Sequence, residues 1–324
     1  MCAEPWTAED IPDQTGRTAI VTGANSGLGF ETARHLALRG AHVVLAVRNE
    51  AKGREAADRI GEERQGASLE IRRLDLADLD SVNDFAARFR ADDAEVDVLV
   101  NNAGVMAPPR TLSPQGHEMQ FASNHLGHFA LTGLLLDRIG NGRDPRVVTV
   151  SSLAHYGGRI HFDDLTGERD YSGMGFYRQS KFANLLFGLE LDRRLRASRS
   201  PVRSLVSHPG LAATSLVENG FTTLTRPIGR LVLRLFTQSS ESGALTSLYA
   251  ATDPRAESGQ YIGPDGRREW KGPPRVVRPD APAEDRETAA RLWALSEELT
   301  GVRYEFAAVQ TDVGRGPDDP DQTD

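Results

Sequence analysis

The chain has 324 residues, 39% of them hydrophobic and 26% charged, with a formal net charge of −8. This length suits one large domain or two small ones and buries a substantial core. The acidic balance leaves no basic patch for nucleic acid. A single cysteine, Cys2, excludes an internal disulfide and fits a reducing cytoplasm. No apolar run of ~18 residues marks a spanning helix, so no integral membrane anchor is expected.

In chain order, the first 15 residues are polar, carry Pro5 and Pro12, and are expected along the surface with Trp6 as a pin. They lack a charged region followed by an apolar core, so no secretory signal is expected. Residues 17–22 read as a buried strand. Gly23-Ala24-Asn25-Ser26-Gly27-Leu28-Gly29 follows, and an amphipathic helix then runs from about Phe30 to Arg39 and stops at Gly40. Strand, glycine turn and helix form the context of a dinucleotide-binding turn. Glycines let the backbone approach a pyrophosphate, and the helix N-terminus offers it free N–H groups. The second strand, residues 41–49, decides between nicotinamide cofactors. An acid at its end would bind the ribose 2′-hydroxyl of NAD, and a base suits the 2′-phosphate of NADP. Val47 stands where the acid belongs and Arg48 follows it. A guanidinium grips phosphate through two hydrogen bonds, which favours NADP(H) over NAD(H).

A third strand (69–74) ends at Asp75-Leu76, and a fourth (96–100) ends at Asn101-Asn102-Ala103-Gly104. Asn124 lies in Ser-Asn-His-Leu-Gly-His-Phe. A fifth strand closes on Ser151-Ser152, and Tyr177-Arg-Gln-Ser-Lys181 and His208-Pro209-Gly210 follow. On a helix, Tyr177 and Lys181 share a face. A free phenol ionises near pH ~10, and a neighbouring cation lowers that value. Such a tyrosine can protonate a carbonyl or deprotonate an alcohol.

Together these segments closely resemble the short-chain dehydrogenase/reductase family over about residues 15–300. The resemblance implies a single doubly wound Rossmann-type α/β domain, with a central parallel sheet and helices on both faces. It implies that Gly23, Gly27 and Gly29 hold the cofactor pyrophosphate and that Asn25, Ser26 and Leu28 complete that turn. Asp75, with Leu76 beside it, would meet the adenine amine, and Asn101, Asn102, Ala103 and Gly104 would line the site and brace the sheet. Asn124 would bend a long helix and hold a relay water. Ser152, rather than Ser151, would bond the substrate oxygen. Tyr177 would be the general acid/base, and Lys181 would bind the nicotinamide ribose and lower the tyrosine pKa. Pro209, Gly210 and Thr214 would place the nicotinamide.

Ser152 and Tyr177 are 25 residues apart, a longer gap than is usual in the family. The intervening Leu153-Ala154-His155-Tyr156-Gly157-Gly158 wording resembles the retinol dehydrogenase and protochlorophyllide reductase branch. So do Asn-His-Leu-Gly-His-Phe and Ala-Arg-Leu-Trp-Ala-Leu-Ser at 290–296. The light-driven reductases use an active-site cysteine, and Cys2 matches no such motif. The spacing of His117, His155 and His161 fits no zinc pattern, so no metal is expected and the two insert histidines read as loop residues. For His208, contact with ligand and simple packing stay open.

The expected organisation is an extension over 1–15, an oxidoreductase domain over 16–302 with a substrate cover at 211–237, and a polar tail over 303–324. Residues 226–236 form a basic amphipathic stretch that could be a lid, a packed helix or a membrane-surface helix. The expected function is an NADP-dependent, cytoplasmic oxidoreductase acting on a lipophilic small-molecule carbonyl or alcohol. The alternatives are a non-catalytic NADP-binding or sensing protein, and a methyltransferase, which explains the glycine turn alone. A homodimer through the helices carrying Asn124 and Tyr177 is open.

Overall fold

The computed structural model describes residues 4–211 and 238–306. Cys2, Thr214, nearly all of the expected cover with its 226–236 stretch, and the tail beyond 306 lie outside the described residues. The chain alternates β1 (Thr18–Thr22), α1 (Gly27–Leu38), β2 (His42–Val47), α2 (Glu50–Glu63), β3 (Leu69–Arg73), α3 (Leu79–Ala91) and β4 (Val98–Asn101). A short α4 (Met119–Phe121) runs through a π-helical turn (Ala122–Leu126) into α5 (Gly127–Gly140). Then come β5 (Arg146–Val150), α6 (Gly173–Ala197), β6 (Arg203–Ser207), α7 (Ser240–Thr252), β7 (Tyr261–Pro264), β8 (Pro274–Val277) and α8 (Arg286–Thr300).

The strands form one sheet in the order β3-β2-β1-β4-β5-β6-β7-β8. All neighbours are parallel except β7 and β8, which pair antiparallel. The antiparallel edge was not read from the sequence; β8 is a short run in which Val276 is exposed and Val277 buried. Strand side chains alternate between faces. Ala19, Val21, Val43 and Leu45 join α1 and α7 on one side. Ile20, Val44, Ala46 and Leu99 join α3, α5 and α6 on the other. Polar side chains start the helices: Asn49 accepts from Lys52 N–H at 3.1 Å and Ser172 from Gly175 N–H at 3.2 Å. Gly301, in the left-handed region, ends α8.

Among the described residues, the segments 6–11 and 303–306 are more deeply built in than their polar composition suggests. Trp6 is buried with its ring edge-on to Tyr249 at 5.5 Å, and Ile11 is buried as well. Residues 303–306, assigned to the polar tail, pack on the core. Tyr304 stands 4.6 Å from Trp293 between ring centres and donates its hydroxyl to Phe129 C=O at 2.7 Å. Aromatic burial outweighs the polar composition around it. Among the described residues, no helix is long and apolar enough to cross a membrane.

Candidate active site

The strand order reverses between β1 and β4, and the crevice beyond their carboxyl ends is where α/β sheets take ligands. A cavity of about 350 Å³ lies there. Its walls include the glycine turn except Ala24, that is Gly23 and Asn25 to Gly29, then Arg48, Asp75 and Leu76, and finally Asn102 to Gly104. Gly27 has φ +58°, and a Cβ there would meet nothing within 4 Å, so its open side faces the cavity. A Cβ on Gly29 would instead drive into the Gly23 carbonyl and the Asn102 amide. The turn is thus packed against β4 behind and open in front. Ser26 begins α1 but makes no side-chain cap bond. The first-turn N–H groups, which have no intrahelical acceptor, stay available to an anion. A dinucleotide pyrophosphate fits this donor set.

Sequence reading missed Lys52, which lines the same cavity as Arg48. Lys52 is one of only three lysines and stands four residues after Arg48. That spacing was the available signal. Among the described residues, neither cation is in an ion pair.

The expected catalytic residues come from three elements. Ser152 follows β5 and accepts from Ala154 N–H at 3.1 Å, starting a 3₁₀ turn. Ser151 is buried and donates its hydroxyl to the Lys181 carbonyl at 2.8 Å, which leaves Ser152 as the freer of the two. Tyr177 and Lys181 lie on α6. Asn124 lies in the π-helical turn, a distortion that recurs at functional sites. Its side chain accepts from Val105 N–H at 2.8 Å and donates to Val105 C=O and to Ser180 Oγ, both at 2.9 Å. Ser180 in turn donates to the Tyr177 carbonyl at 2.9 Å. Ser180 was not singled out from sequence, although it stands inside the Tyr-Arg-Gln-Ser-Lys run.

Gly104 joins the cavity to this cluster. A Cβ there would lie 3.1 Å from Asn124 Oδ1 and 3.6 Å from Lys181 Nζ. Pro209 and Gly210 are not part of the cavity wall. Gly210 N–H donates to His208 Nδ1 at 3.2 Å, and His208 Nε2 then donates to Glu269 at 3.0 Å. His208 is fully buried, with its ring 5.1 Å from that of Tyr261 between centres.

One expectation changes. His155 is a buried core group rather than a loop residue: Nδ1 lies 2.6 Å from the Ser152 carbonyl and 3.2 Å from the Tyr261 hydroxyl. Burial pushes its pKa below the usual value. Burial raises the Tyr177 phenol, opposed only by a hydrogen bond with Ser152. The Lys181 ammonium is itself buried, pushed down to about 8, and donates to Val150 C=O at 3.1 Å. Its Nζ stands 6.0 Å from the Tyr177 ring centre. Glu31, His35 and Glu241 have metal-ligand proximity, but Arg34 already pairs with both carboxylates, which fits an ion-pair cluster.

The family profile of the short chain dehydrogenases matches residues 17–224. The chain belongs to the short-chain dehydrogenase family. It is an NAD(P)-dependent short-chain dehydrogenase/reductase, and its relatives place it in the retinol dehydrogenase-like branch. Retinol dehydrogenase 12 of Mus musculus is 40% identical over 295 residues, covering 90% of this chain and 88% of that one. Retinol dehydrogenase 13 of Homo sapiens is 42% identical over 294 residues, covering 89% and 85%. A crystal structure of a protein from Mycobacterium Paratuberculosis superposes with a TM-score of 0.77 at 44% identity, covering 93% of this chain and all of that one. A short chain dehydrogenase from Shigella flexneri, complexed with NADP, gives a TM-score of 0.61 at 26% identity, covering 77% and 97%.

Proposed function

We propose that this short-chain dehydrogenase uses NADP(H) to interconvert a lipophilic carbonyl and its alcohol, with Tyr177 as general acid/base. The observation that carries the reading is Gly104, a wall of the cofactor cavity where an added Cβ would lie 3.1 Å from Asn124 Oδ1 and 3.6 Å from Lys181 Nζ. Bound nicotinamide would supply or accept the hydride. Hydride delivery puts negative charge on the substrate oxygen, and the hydroxyls of Ser152 and Tyr177 stabilise it as it develops. A phenol raised by burial stays protonated at neutral pH, the state that carbonyl reduction requires. Lys181, its pKa lowered by burial to about 8, and Asn124 return the proton by way of a relay water.

Arg48 and Lys52 support NADP over NAD. They put two cations on the cavity wall beyond β2, where the 2′-phosphate would sit, and no acid occupies the end of that strand. Retinoid-named relatives support a lipophilic substrate, as do exposed Tyr156 and Met174 in the segment between Ser152 and Tyr177. The reading extends to a cytoplasmic enzyme. The test is NADPH consumption at 340 nm across lipophilic aldehydes and ketones, retinal included, against NADH. Turnover with NADPH and little with NADH supports the reading. NADPH binding without turnover on any carbonyl would favour the sensing alternative.

A further inference from the structure

His128 stands four residues after Asn124, fully buried, and both of its ring nitrogens are engaged. Nδ1 lies 2.9 Å from the Asn124 carbonyl, and Nε2 lies 2.9 Å from the Thr22 hydroxyl. Thr22 ends β1 immediately before Gly23 and is fully buried as well. Its hydroxyl oxygen accepts from Asn102 N–H at 2.9 Å and from Ala103 N–H at 3.0 Å.

Counting donors and acceptors settles the arrangement. A hydroxyl has one proton and two lone pairs. The two β4-loop N–H groups take both lone pairs, so the Thr22 proton must be given away. Its nearer acceptor is His128 Nε2, with Val100 C=O at 3.3 Å. The Asn124 carbonyl can only accept, so His128 carries its proton on Nδ1. The other neutral tautomer would set two lone pairs against each other at Asn124. An imidazolium would aim a second N–H at an oxygen whose lone pairs are already used. One neutral tautomer therefore satisfies every group in the chain from Asn102 and Ala103 through Thr22 and His128 to Asn124. Nothing about the glycine turn or the Tyr177 cluster needs a histidine here.

We infer that His128 is a positioning residue that ties the floor of the cofactor cavity to the π-helical turn presenting Asn124. This rests on the function proposed above, because Asn124 matters to turnover only if the Tyr177 cluster is catalytic. On the Thr22 side, the ring fixes the hydroxyl that holds Asn102 and Ala103 at the cavity wall. On the Asn124 side, it occupies a main-chain carbonyl of the π-helical turn, whose register has left the α-helical ladder. The two nitrogens thus divide the role between cofactor binding and turnover.

Two variants separate the halves. An asparagine amide reaches the Nδ1 position and can still donate to the Asn124 carbonyl, but leaves Thr22 without its acceptor. A glutamine amide reaches the Nε2 position and can still accept from Thr22, but removes the side-chain donor from the Asn124 carbonyl. Wild type, His128→Asn and His128→Gln would be compared in three readouts: NADPH Kd by fluorescence titration, kcat at saturating NADPH with retinal or the best carbonyl of the panel, and thermal unfolding. For His128→Asn the expectation is an NADPH Kd raised about tenfold with kcat within about threefold of wild type. His128→Gln should show the reverse split, with kcat down about tenfold and Kd within about threefold. Equal losses of Kd and kcat in both variants, tracking lost thermal stability, would reduce His128 to packing and overturn the inference. So would two variants indistinguishable from wild type. The Kd arm needs no turnover. If wild type reduces no carbonyl, the proposed function fails, while the expected Kd difference between the variants still decides the Thr22 half.

Discussion

Across the cleft, the β1-to-β4 wall is made largely of backbone: the glycine turn, the uncapped start of α1, and the Asn102–Gly104 loop. The region beyond β5 is built from side chains. Ser152, Tyr177, Lys181, His155, Tyr261 and His208 are held by one another and by carbonyls. Backbone walls tolerate almost any atom removed from a side chain and few atoms added, whereas side-chain walls behave the opposite way. The two halves should therefore break under opposite substitutions.

Among the two serines, removing the hydroxyl should matter for turnover only at Ser152. Ser152→Ala should cut kcat about 10²–10³-fold, the usual cost of losing one donor to a developing oxyanion. Ser151→Ala should keep most activity and lose about 1 kcal/mol of stability, because its hydroxyl serves the Lys181 carbonyl. Steady-state kinetics and urea unfolding of the two variants check this, and a reversed pattern would exchange their roles.

Where the halves meet, His125 and His128 are buried and held neutral, pushed down to about 3 and about 4. Their folded values lie below the ordinary 6.5. The unfolded chain therefore binds protons that the folded chain refuses as pH falls through that interval. Stability present above pH 6.5 should be lost progressively toward pH 4, and for His128 the full interval corresponds to about 3 kcal/mol. Urea unfolding at pH 7 and pH 5 should show a pH dependence shallower by about 2 kcal/mol in His128→Gln than in wild type. Identical pH dependences would show that His128 does not titrate as its surroundings require.

Adding a single methyl group should suffice on the backbone wall. In Gly29→Ala the new Cβ meets the Gly23 carbonyl and the Asn102 amide. The expected cost is about 1–3 kcal/mol, with weakened NADPH binding. Gly27→Ala places its Cβ in open space but in the left-handed region, so in the free protein it should show only the smaller backbone penalty. A Gly29→Ala protein as stable as wild type would mean that the turn is not packed on β4 as described. Smallest in stability is Arg48→Ala, which should leave the fold intact and lower the NADPH-over-NADH preference about 10–100-fold, the worth of a charged hydrogen bond. An unchanged preference would assign the 2′-phosphate to Lys52 alone.

The same contrast explains what the sequence disclosed. Glycine spacing and strand ends are local, so the cofactor turn, Asp75 and the Asn101–Gly104 loop could be read directly, and the cavity wall includes nearly all of them. Burial is not local. His155 looked like a loop residue because its neighbours are glycine and tyrosine, and what encloses it includes Tyr261, 106 residues away. Tyr304 looked like tail because its partners, Phe129 and Trp293, lie on other helices. The Lys181 effect on Tyr177 was read from helical spacing together with the family resemblance. Spacing puts the two residues on one face but says nothing of how far burial moves each one's pKa.

The most direct test of the central claim is single-turnover NADPH oxidation by wild type and Tyr177→Phe with one shared carbonyl substrate, with NADPH Kd measured in parallel. The expected result is a rate about 10²–10⁴-fold lower in the variant, with Kd unchanged. A folded, NADPH-saturated Tyr177→Phe that reacts at the wild-type rate would contradict the assignment of Tyr177 as the proton donor.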